Sequence, residues 1–254
     1  MKKGRYLCAL IAASFFFVAA GHAVASEKGK PHWGYEGDHG PSHWGGMSKD
    51  FEACSGGKAQ SPIDIAGVEE KDLADIEISY KTSKLNIINN GHTVQVNYDS
   101  GSSIKIDGKQ YQLVQFHFHD PSEHTVGGKF SPMEVHFVHK DAKGDLAVIG
   151  VMINAGKENA AYKDIWANLP QKEGAEQKIN ATINATDLLP ASRVFYRYAG
   201  SLTTPPCTEG VDWSVLKSPI EMSEAQIDAF KAIVKGNNRP VQSMHGRKIM
   251  GDAK

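Results

Sequence analysis

Three histidines lie on two segments whose residue alternation is typical of β-strands. Residues 115–119 read QFHFH, so in a strand His117 and His119 project from one face and the two phenylalanines from the other. Residues 133–139 read MEVHFVH and put His136 on a second strand that can lie beside the first. Three neutral imidazole nitrogens suit Zn²⁺ and leave its fourth tetrahedral position open, which is the arrangement of a catalytic rather than a structural zinc site.

Each histidine segment also carries a polar residue that can orient a metal ligand. Gln115 lies two residues before His117 and Glu134 lies two residues before His136, so each shares the ligand's face of its strand. A metal-bound histidine usually donates its other N–H to such an oxygen. The same spacing also occurs where histidines only pack, so spacing by itself leaves metal binding and packing both open.

The histidine segments belong to a longer region of short alternating segments. Between about residues 76 and 151, turns that contain Gly and Asn separate these segments, which predicts antiparallel strands. The predicted strands are LNIIN, TVQVNY, SIKIDG, YQLVQFHFH, MEVHFVHK and LAVIGVMI. The sequence therefore predicts a mainly β (α+β) single domain with a large central, mostly antiparallel twisted sheet and a few surface helices.

Two helices are predicted after these strands. The first covers residues 157–168, and the second covers residues 223–235. Ser223 and Gln226 form a capping box at the start of the second helix, and apolar residues recur on one face of it.

The first 25 residues have the composition of a secretory signal peptide. Basic residues precede the apolar run Leu7–Ala20, and Ala23-Val24-Ala25 supplies the small residues of a cleavage site. A membrane anchor is the alternative, but the apolar run is shorter than the roughly 20 residues that span a bilayer. We predict a cleaved leader at residues 1–25, a domain at residues 26–254, and a secreted or periplasmic protein that is not attached to a membrane after cleavage.

Cysteine usage agrees with export. Cleavage removes Cys8 and leaves Cys54 and Cys207. Two cysteines in an exported chain predict one disulfide, and two separate buried thiols are the alternative.

Composition excludes some classes of protein. The chain of 254 residues has 28 basic and 29 acidic residues, for a net charge of −1. This balance predicts no nucleic-acid partner, because nucleic-acid binding needs a basic surplus. Apolar residues make up 41% and charged residues 22%, which is ordinary globular usage and excludes wholesale disorder.

The order of these motifs and several others resembles the α-class carbonic anhydrases. The matching stretches are HWGY (32–35), QSPID (60–64), NNGH (89–92), QFHFH (115–119), SEHTV (122–126), MEVHFVH (133–139), GSLTTPPC (200–207) and NRPVQ (238–242). The resemblance implies an exported bacterial enzyme whose cofactor is Zn²⁺ bound by His117, His119 and His136. Its substrate would be the small molecule CO₂, which zinc-bound hydroxide converts reversibly to bicarbonate. Inhibition by sulfonamides is implied as well.

The resemblance also implies roles for residues around the metal. Thr203 matches the family's gatekeeper threonine, whose hydroxyl donates to Glu123 because an ionised carboxylate can only accept. Thr204 would hold product or water. The apolar wall that receives CO₂ would consist of Val138, Val148, Leu202 and Trp213. Taken alone, each of these four is more simply a core residue, and Thr203 is a turn residue.

His92 matches the family's proton shuttle. Fast turnover needs a relay whose pKa is close to neutral, and imidazole meets that need. Tyr35, Asn90 and Gln95 would order the water between the zinc ion and His92. By its position alone, His92 is also explained as a turn residue.

Other matches and departures refine this picture. Cys54 and Cys207 match a disulfide of exported members, which would brace the loop of Thr203 and Thr204. The loop after His119 is shorter than in many members, Gln95 stands where Asn is frequent, and His245 is given no role. A homodimer is reasonable for a bacterial member, with no interface residue indicated.

Two alternative functions keep the same fold. The first is a zinc-binding protein without catalysis, although the chain retains all three ligand histidines. The second is ester hydrolysis by the same hydroxide, which we expect as a side activity.

Overall fold

The computed structural model of the chain describes residues 31–254, and the predicted leader lies outside these described residues. The strands are β1 (Asp64–Ile65), β2 (Glu69–Lys71), β3 (Glu77–Ser79), β4 (Ser83–Asn89), β5 (Val94–Asn97), β6 (Ser103–Ile106), β7 (Lys109–His119), β8 (Thr125–Val126), β9 (Lys129–Phe130), β10 (Met133–Lys140), β11 (Leu146–Ala155), β12 (Glu176–Ile183), β13 (Phe195–Ser201), β14 (Glu209–Leu216), β15 (Ile220–Met222) and β16 (Met250–Asp252). The α-helices are α1 (Trp44–Met47), α2 (Ala53–Gly56), α3 (Lys163–Trp166) and α4 (Glu224–Lys231), and 3-10 turns cover Gly37–His39, Lys49–Phe51, Ala160–Tyr162 and Ala185–Leu188. No helix of the described residues is long and apolar enough to cross a bilayer.

Thirteen strands form one large sheet. Its order is β12-β4-β5-β7-β10-β11-β14-β13-β16-β2, with β15 beside β11, β6 beside β7 and β3 beside β6. Among the described residues, the parallel pairs of this sheet are β11–β14, β11–β15 and β16–β2. A small second sheet contains β1, β8 and β9. The predicted mainly β domain with a mostly antiparallel sheet is confirmed, and a sheet this wide twists because neighbouring strands are rotated relative to each other.

The central strands β7 and β10 carry apolar side chains on one face and the histidines on the other. Phe116 and Phe118 of β7 and Phe137 of β10 are fully buried in the largest apolar cluster. Helix α4 adds Ile227 and Phe230 to this cluster, and the rings of Phe118 and Phe230 lie 5.9 Å apart. Burying side chains of this size stabilises the fold by about 2 kcal/mol each. The histidine face is therefore held in place by a packed core on the opposite face.

The six strands predicted from alternation are present as β4, β5, β6, β7, β10 and β11. The helix predicted at 157–168 is wrong in extent, because only a 3-10 turn and α3 are helical there. The Asn159 backbone N–H donates to Gln226, and the Asn159 side chain accepts from the Ala161 N–H. The residues before Ala161 are thereby tied to another segment instead of entering a helix.

Helix α4 begins at the predicted capping box but ends four residues early. The Ser223 side chain accepts from the Gln226 N–H, as predicted, and the last helical residue is Lys231. Ile233 and Val234 pack against the main apolar cluster beyond the helix. Their β-branched side chains favour helix less than unbranched ones do, so packing decides the path of the chain here.

The predicted disulfide between Cys54 and Cys207 is present. The two Cα atoms lie 5.0 Å apart, and the bridge closes a separation of 153 residues. Trp44 and Phe51 are buried around it in a separate apolar cluster, against which Trp33 packs. The N-terminal part of the described chain is thereby fixed to the loop between β13 and β14.

Candidate metal centre

The three predicted ligand histidines meet because of the register of β7 and β10. His136 lies opposite His117, and Glu134 lies opposite His119. The ring centroids are 5.0 Å apart for His117 and His119, 5.4 Å for His117 and His136, and 4.5 Å for His119 and His136. One ring nitrogen of each histidine lies within 4.8 Å of one nitrogen of each of the other two. The three rings thus form one side of a candidate metal site.

The remaining nitrogen of each ring contacts a protein oxygen. These contacts are all 2.8 Å long and join His117 Nδ1 to Gln115 Oε1, His119 Nδ1 to the Asn237 carbonyl oxygen, and His136 Nε2 to Glu134 Oε1. The contacts of His117 and His119 are hydrogen bonds, whereas that of His136 is short but not aligned as one. With these oxygens beside the other nitrogens, Nε2 of His117, Nε2 of His119 and Nδ1 of His136 are left as the available ligands.

Burial keeps these three rings neutral. It lowers the pKa of His117 well below the ordinary value, and the neighbouring rings add to this shift. It lowers the pKa of His119 to about 4, although the hydrogen bond to the Asn237 carbonyl opposes the shift. It also lowers the pKa of His136, against the opposing effect of Glu134. A metal ion binds neutral imidazole, so these rings need lose no proton to bind one at neutral pH.

The donor set fits a zinc ion. Nε2 of His119 is buried and has no hydrogen-bond partner among residues 31–254. A buried polar atom without a partner is destabilising unless another group satisfies it. Three nitrogen donors suit zinc, whereas calcium and magnesium prefer oxygen ligands.

His124, Glu134 and His136 form a second group of side chains that could hold a metal ion. Hydrogen bonds within the protein already account for the positions of these side chains. Glu134 Oε2 accepts the backbone N–H groups of Glu123 and His124, each at 2.9 Å, and its Oε1 lies 2.8 Å from His124 Nδ1. Burial raises the pKa of the Glu134 carboxyl, but His124 and His136 more than offset this effect and lower it well below the ordinary value. Glu134 is therefore an ionised anchor for two imidazole rings.

The structure brings Glu123 and Thr203 together beside the candidate ligands. Glu123 is fully buried; its Oε2 lies 3.5 Å from His119 Nε2 and 3.8 Å from His136 Nδ1, and its Oε1 accepts the Arg239 N–H at 2.9 Å. Burial raises the pKa of Glu123 to about 7, while His136, the Arg239 N–H and the Thr203 hydroxyl act in the opposite direction. Thr203 is itself buried, with 5% exposure.

The guanidinium group of Arg239 connects the disulfide to this region. It is 1% exposed and donates to the carbonyl oxygens of Cys54 and Ser61 at 2.7 Å and to Gln60 Oε1 at 2.8 Å. Gln60 in turn donates to the Cys207 carbonyl oxygen at 3.0 Å. One buried residue thus anchors both halves of the disulfide and, through its own backbone N–H, the buried carboxylate beside the ligands.

A cavity of about 120 Å³ lies beside His117 and His119, and the four residues predicted for the proton path line it. Its lining consists of Trp33, Tyr35, Asn90, His92, Thr93, Gln95, Gln115, His117, His119 and Thr204. Asn90 Nδ2 donates to Gln95 Oε1 at 3.4 Å, and Gln95 Nε2 donates to Asn97 Oδ1 at 2.6 Å. Burial raises the pKa of the Tyr35 phenol well above its ordinary value, so this wall of the cavity stays uncharged.

His92 stacks on Trp33 at the edge of this cavity. The ring centroids are 3.6 Å apart and the planes are inclined by 7°. Partial burial and the neighbouring His32 lower the pKa of His92 from its ordinary value, and Glu173 opposes this shift. The Asn90 side chain accepts the His92 N–H at 3.0 Å, which closes an Asx turn and fixes the backbone there.

The four residues predicted as an apolar wall pack in one cluster behind His136. Val148 and Trp213 are each 2% exposed members of this cluster, and Val138 and Leu202 pack against it. None of the four is among the residues that line the 120 Å³ cavity. The ring of Trp213 lies 4.8 Å from that of His136, centroid to centroid, so the cluster supports a candidate ligand from behind.

Sequence reasoning missed Asn237 and Arg239. The motif at 238–242 marks this segment but indicates no contact. Asn237 reaches His119 across 118 residues of sequence, and no periodicity connects the two. The local signal is Gly236, whose φ of +59° allows the chain to turn after α4.

The similarity to known proteins extends over sequence and fold. Residues 39–252 match the family model described as eukaryotic-type carbonic anhydrase. A carbonic anhydrase of Neisseria gonorrhoeae is 43% identical over 97% of this chain and 96% of its own length. A structure of the α-carbonic anhydrase from Thermovibrio ammonificans with the inhibitor sulfanilamide has a TM-score of 0.86 at 46% identity, covering 87% of this chain and 100% of that one. A structure of dioscorin complexed with ascorbate has a TM-score of 0.80 at 28% identity, covering 87% and 97% respectively.

Proposed function

The chain belongs to the α-carbonic anhydrase family of CO₂-hydrating enzymes, and from this premise we propose that His117, His119 and His136 hold a catalytic Zn²⁺ while His92 carries protons to and from the site. The observation that carries the proposal is the convergence of three neutral rings, each with one nitrogen available, two of which line the same cavity as His92. When held by these three rings, a zinc ion would supply a hydroxide nucleophile at neutral pH for the hydration of CO₂ to bicarbonate.

Thr203 and Glu123 orient the nucleophile in this proposal. A cation beside Glu123 favours its ionised form, which can only accept hydrogen bonds. The Thr203 hydroxyl must then donate to Glu123, and its oxygen accepts a hydrogen bond from the attacking group. This chain of donors fixes the direction in which the nucleophile presents its lone pair to CO₂. The nearby side chain of Thr204 lines the same cavity and is placed to hold product or water.

His92 accepts the proton that leaves the site and releases it to buffer. Asn90, Gln95 and Tyr35 line the space between this ring and the candidate ligands, and their polar atoms can order water there. Because the Tyr35 phenol stays protonated, it neither competes for the proton nor adds charge to the path. The half-buried side chains of Val138 and Leu202 would offer CO₂ an apolar surface near His136, with the buried Val148 and Trp213 packed behind it.

The test is stopped-flow CO₂ hydration on the zinc-loaded protein and on His117→Ala, with zinc content measured for both. We expect fast hydration by the wild type and loss of both zinc and activity in the variant. Zinc retention without hydration would favour a non-catalytic zinc-binding protein. A specificity constant for a physiological ester above that for CO₂ would favour an ester hydrolase.

We further propose export, with cleavage after Ala25. The disulfide supports an oxidising compartment outside the cell or in the periplasm. N-terminal sequencing of the mature protein should begin at Ser26, and light scattering will decide between a monomer and the homodimer expected by resemblance. Inhibition by sulfanilamide is expected as well, since a similar enzyme is seen in complex with it.

A further inference from the structure

The side-chain amide of Asn237 joins the end of β7 to the turn that carries His92. Asn237 is 1% exposed. Its Nδ2 donates to the carbonyl oxygen of His92 at 3.1 Å and to that of Phe118 at 2.9 Å. Its Oδ1 accepts the Asp120 N–H at 2.8 Å. Both amide protons are therefore used, one on the turn of His92 and one on β7.

The backbone of the same residue contacts the candidate metal ligand. Its carbonyl oxygen lies 2.8 Å from Nδ1 of His119, and its N–H donates to the Asp120 carbonyl oxygen at 3.1 Å. Phe118 and His119 are adjacent, so Asn237 holds one through its side chain and the other through its backbone. The two functions are separable, because any residue at position 237 retains the backbone carbonyl.

The contacts of the His92 turn show why this amide matters there. Asn90 holds the turn from within through its side chain, and Trp33 holds the imidazole ring by stacking. Only Asn237, among the described residues, donates to the His92 carbonyl oxygen. Thr93 fixes the end of the turn to β7 through hydrogen bonds between its hydroxyl and the backbone of Phe118, and β5 pairs with β7 from Gln95 onward. The Asn237 amide adds the one direct hydrogen bond to the backbone of His92 itself, so its loss frees the residue that carries the ring while the end of the turn stays attached.

We propose that Asn237 is a positioning residue for proton transfer, acting through His92. Its amide sets the distance between the His92 ring and the ligand-bearing strand, whereas its carbonyl orients His119 independently. The inference rests on the proposed function only in assigning the proton relay to His92. The geometric part, that the amide holds the His92 ring in place, stands without it.

The kinetic test uses the zinc-loaded protein and Asn237→Ala. The variant keeps the carbonyl that orients His119, so zinc affinity and kcat/KM for CO₂ should stay within about threefold of wild type. The value of kcat should fall by about tenfold or more, the part of a general acid–base contribution that a displaced relay loses. Added imidazole buffer should restore kcat, because it replaces the relay. Asn168→Ala, a remote asparagine whose amide bonds to a backbone carbonyl, is the matched control and should leave kcat unchanged.

A double-mutant cycle separates positioning from general damage. If Asn237 acts through His92, His92→Ala combined with Asn237→Ala should have the kcat of His92→Ala alone. Additive losses, or an equal fall in kcat and kcat/KM, would overturn the proposal. If Asn237→Ala does not fold, Asn237→Ser takes its place with the same expectations.

The stacking of the His92 ring on Trp33 allows a measurement by NMR that does not depend on activity. A ring centred 3.6 Å over an indole feels its ring current, so the His92 ring protons should resonate upfield in the wild type. They should move toward the unstacked position in Asn237→Ala but not in Asn168→Ala. Unmoved resonances in Asn237→Ala would overturn the positioning role, whereas failure of wild-type CO₂ hydration would overturn the proposed function and leave this result intact.

Discussion

Nδ1 of His117 lies 2.8 Å from Oε1 of Gln115, two residues earlier on the same strand. Because side chains at i and i+2 share a face, one strand supplies both a candidate ligand and the residue that orients it. The contact assigns the N–H to Nδ1 and leaves Nε2 for a metal ion.

Gln115→Ala should weaken zinc binding by about 10- to 100-fold, the usual effect of removing a partner that orients a ligand. Competition against a coloured chelator measures the affinity. Gln112→Ala is the control, since Gln112 lies on the same strand with an exposed side chain. Equal affinities for the Gln115 variant and the wild type would contradict the orienting role.

Thr203→Val should lower kcat/KM for CO₂ by about a hundredfold, the scale on which losing one aligned hydrogen-bonding group acts on a transition state. Valine keeps the shape of threonine and removes the hydroxyl that faces Glu123. Stopped-flow hydration measures the effect, and Thr203→Ser should recover most of the activity because it restores the hydroxyl. A serine variant as slow as the valine variant would mean that the methyl group, not the hydroxyl, matters.

Removal of the disulfide by Cys54→Ser with Cys207→Ser should reduce the free energy of unfolding by about 2–4 kcal/mol. It should also lower kcat/KM, because Arg239 and Gln60 link both halves of the bridge to the buried carboxylate Glu123. Urea titration and hydration assays measure the two effects. Dithiothreitol should reproduce them in the wild type and do nothing further to the double variant; a reduced wild type with unchanged activity would contradict the link.

His139 should make stability depend on pH. Its Nε2 lies 2.7 Å from the Tyr80 hydroxyl and its Nδ1 3.2 Å from the Ala147 carbonyl oxygen, and burial lowers its pKa to about 3, against the opposing effect of its backbone hydrogen bonds. In the unfolded chain the ring takes up a proton below about pH 6.5, whereas in the folded chain it does so only near pH 3. The neutral His139 ring therefore makes its full contribution to the free energy of unfolding above pH 6.5. This contribution is lost as the pH falls toward 3, with a slope of about 1.4 kcal/mol per pH unit.

Urea unfolding of the wild type and His139→Gln between pH 4 and pH 6.5 measures this slope. As the pH falls, the free energy of unfolding of the variant should decrease less steeply than that of the wild type, by about 1.4 kcal/mol per pH unit. His43→Gln, a substitution at an exposed histidine, should keep the wild-type slope. Equal slopes of the free energy of unfolding against pH for wild type and His139→Gln would rule out the buried ring as the cause of the pH dependence.

The strands that carry the ligands were predictable because their pattern is local. In β7 and β10 one face is core and the other carries the histidines, so alternation appears within a few residues. Strand β14 was not predicted, although Val211, Trp213 and Val215 alternate with polar residues in its sequence. It pairs with β11 in parallel, and α3, β12 and β13 lie between the two in sequence, so no local turn marks this pairing. Short strands such as β1 and β16 have too few residues to show any period.

The residues of the candidate site also divide into those that a local pattern predicts and those that it does not. Gln115, His117 and His119 were predictable because one strand presents them together. Asn237 and Arg239 were not, because their partners lie more than a hundred residues away in sequence and are reached only through the fold. Long-range hydrogen bonds leave no periodic trace, so a single sequence indicates an orienting residue such as Gln115 only when it lies on the same strand as the candidate ligand.

Trp33 precedes every strand of the sheet, yet it supplies the surface on which His92 rests. A shorter relative that starts at β1 could keep all three imidazole ligands and still lack this resting place. If His92 relays protons as proposed, such a relative would release protons more slowly while the hydration of CO₂ itself stayed unchanged, so the segment before β1 would set the turnover rate.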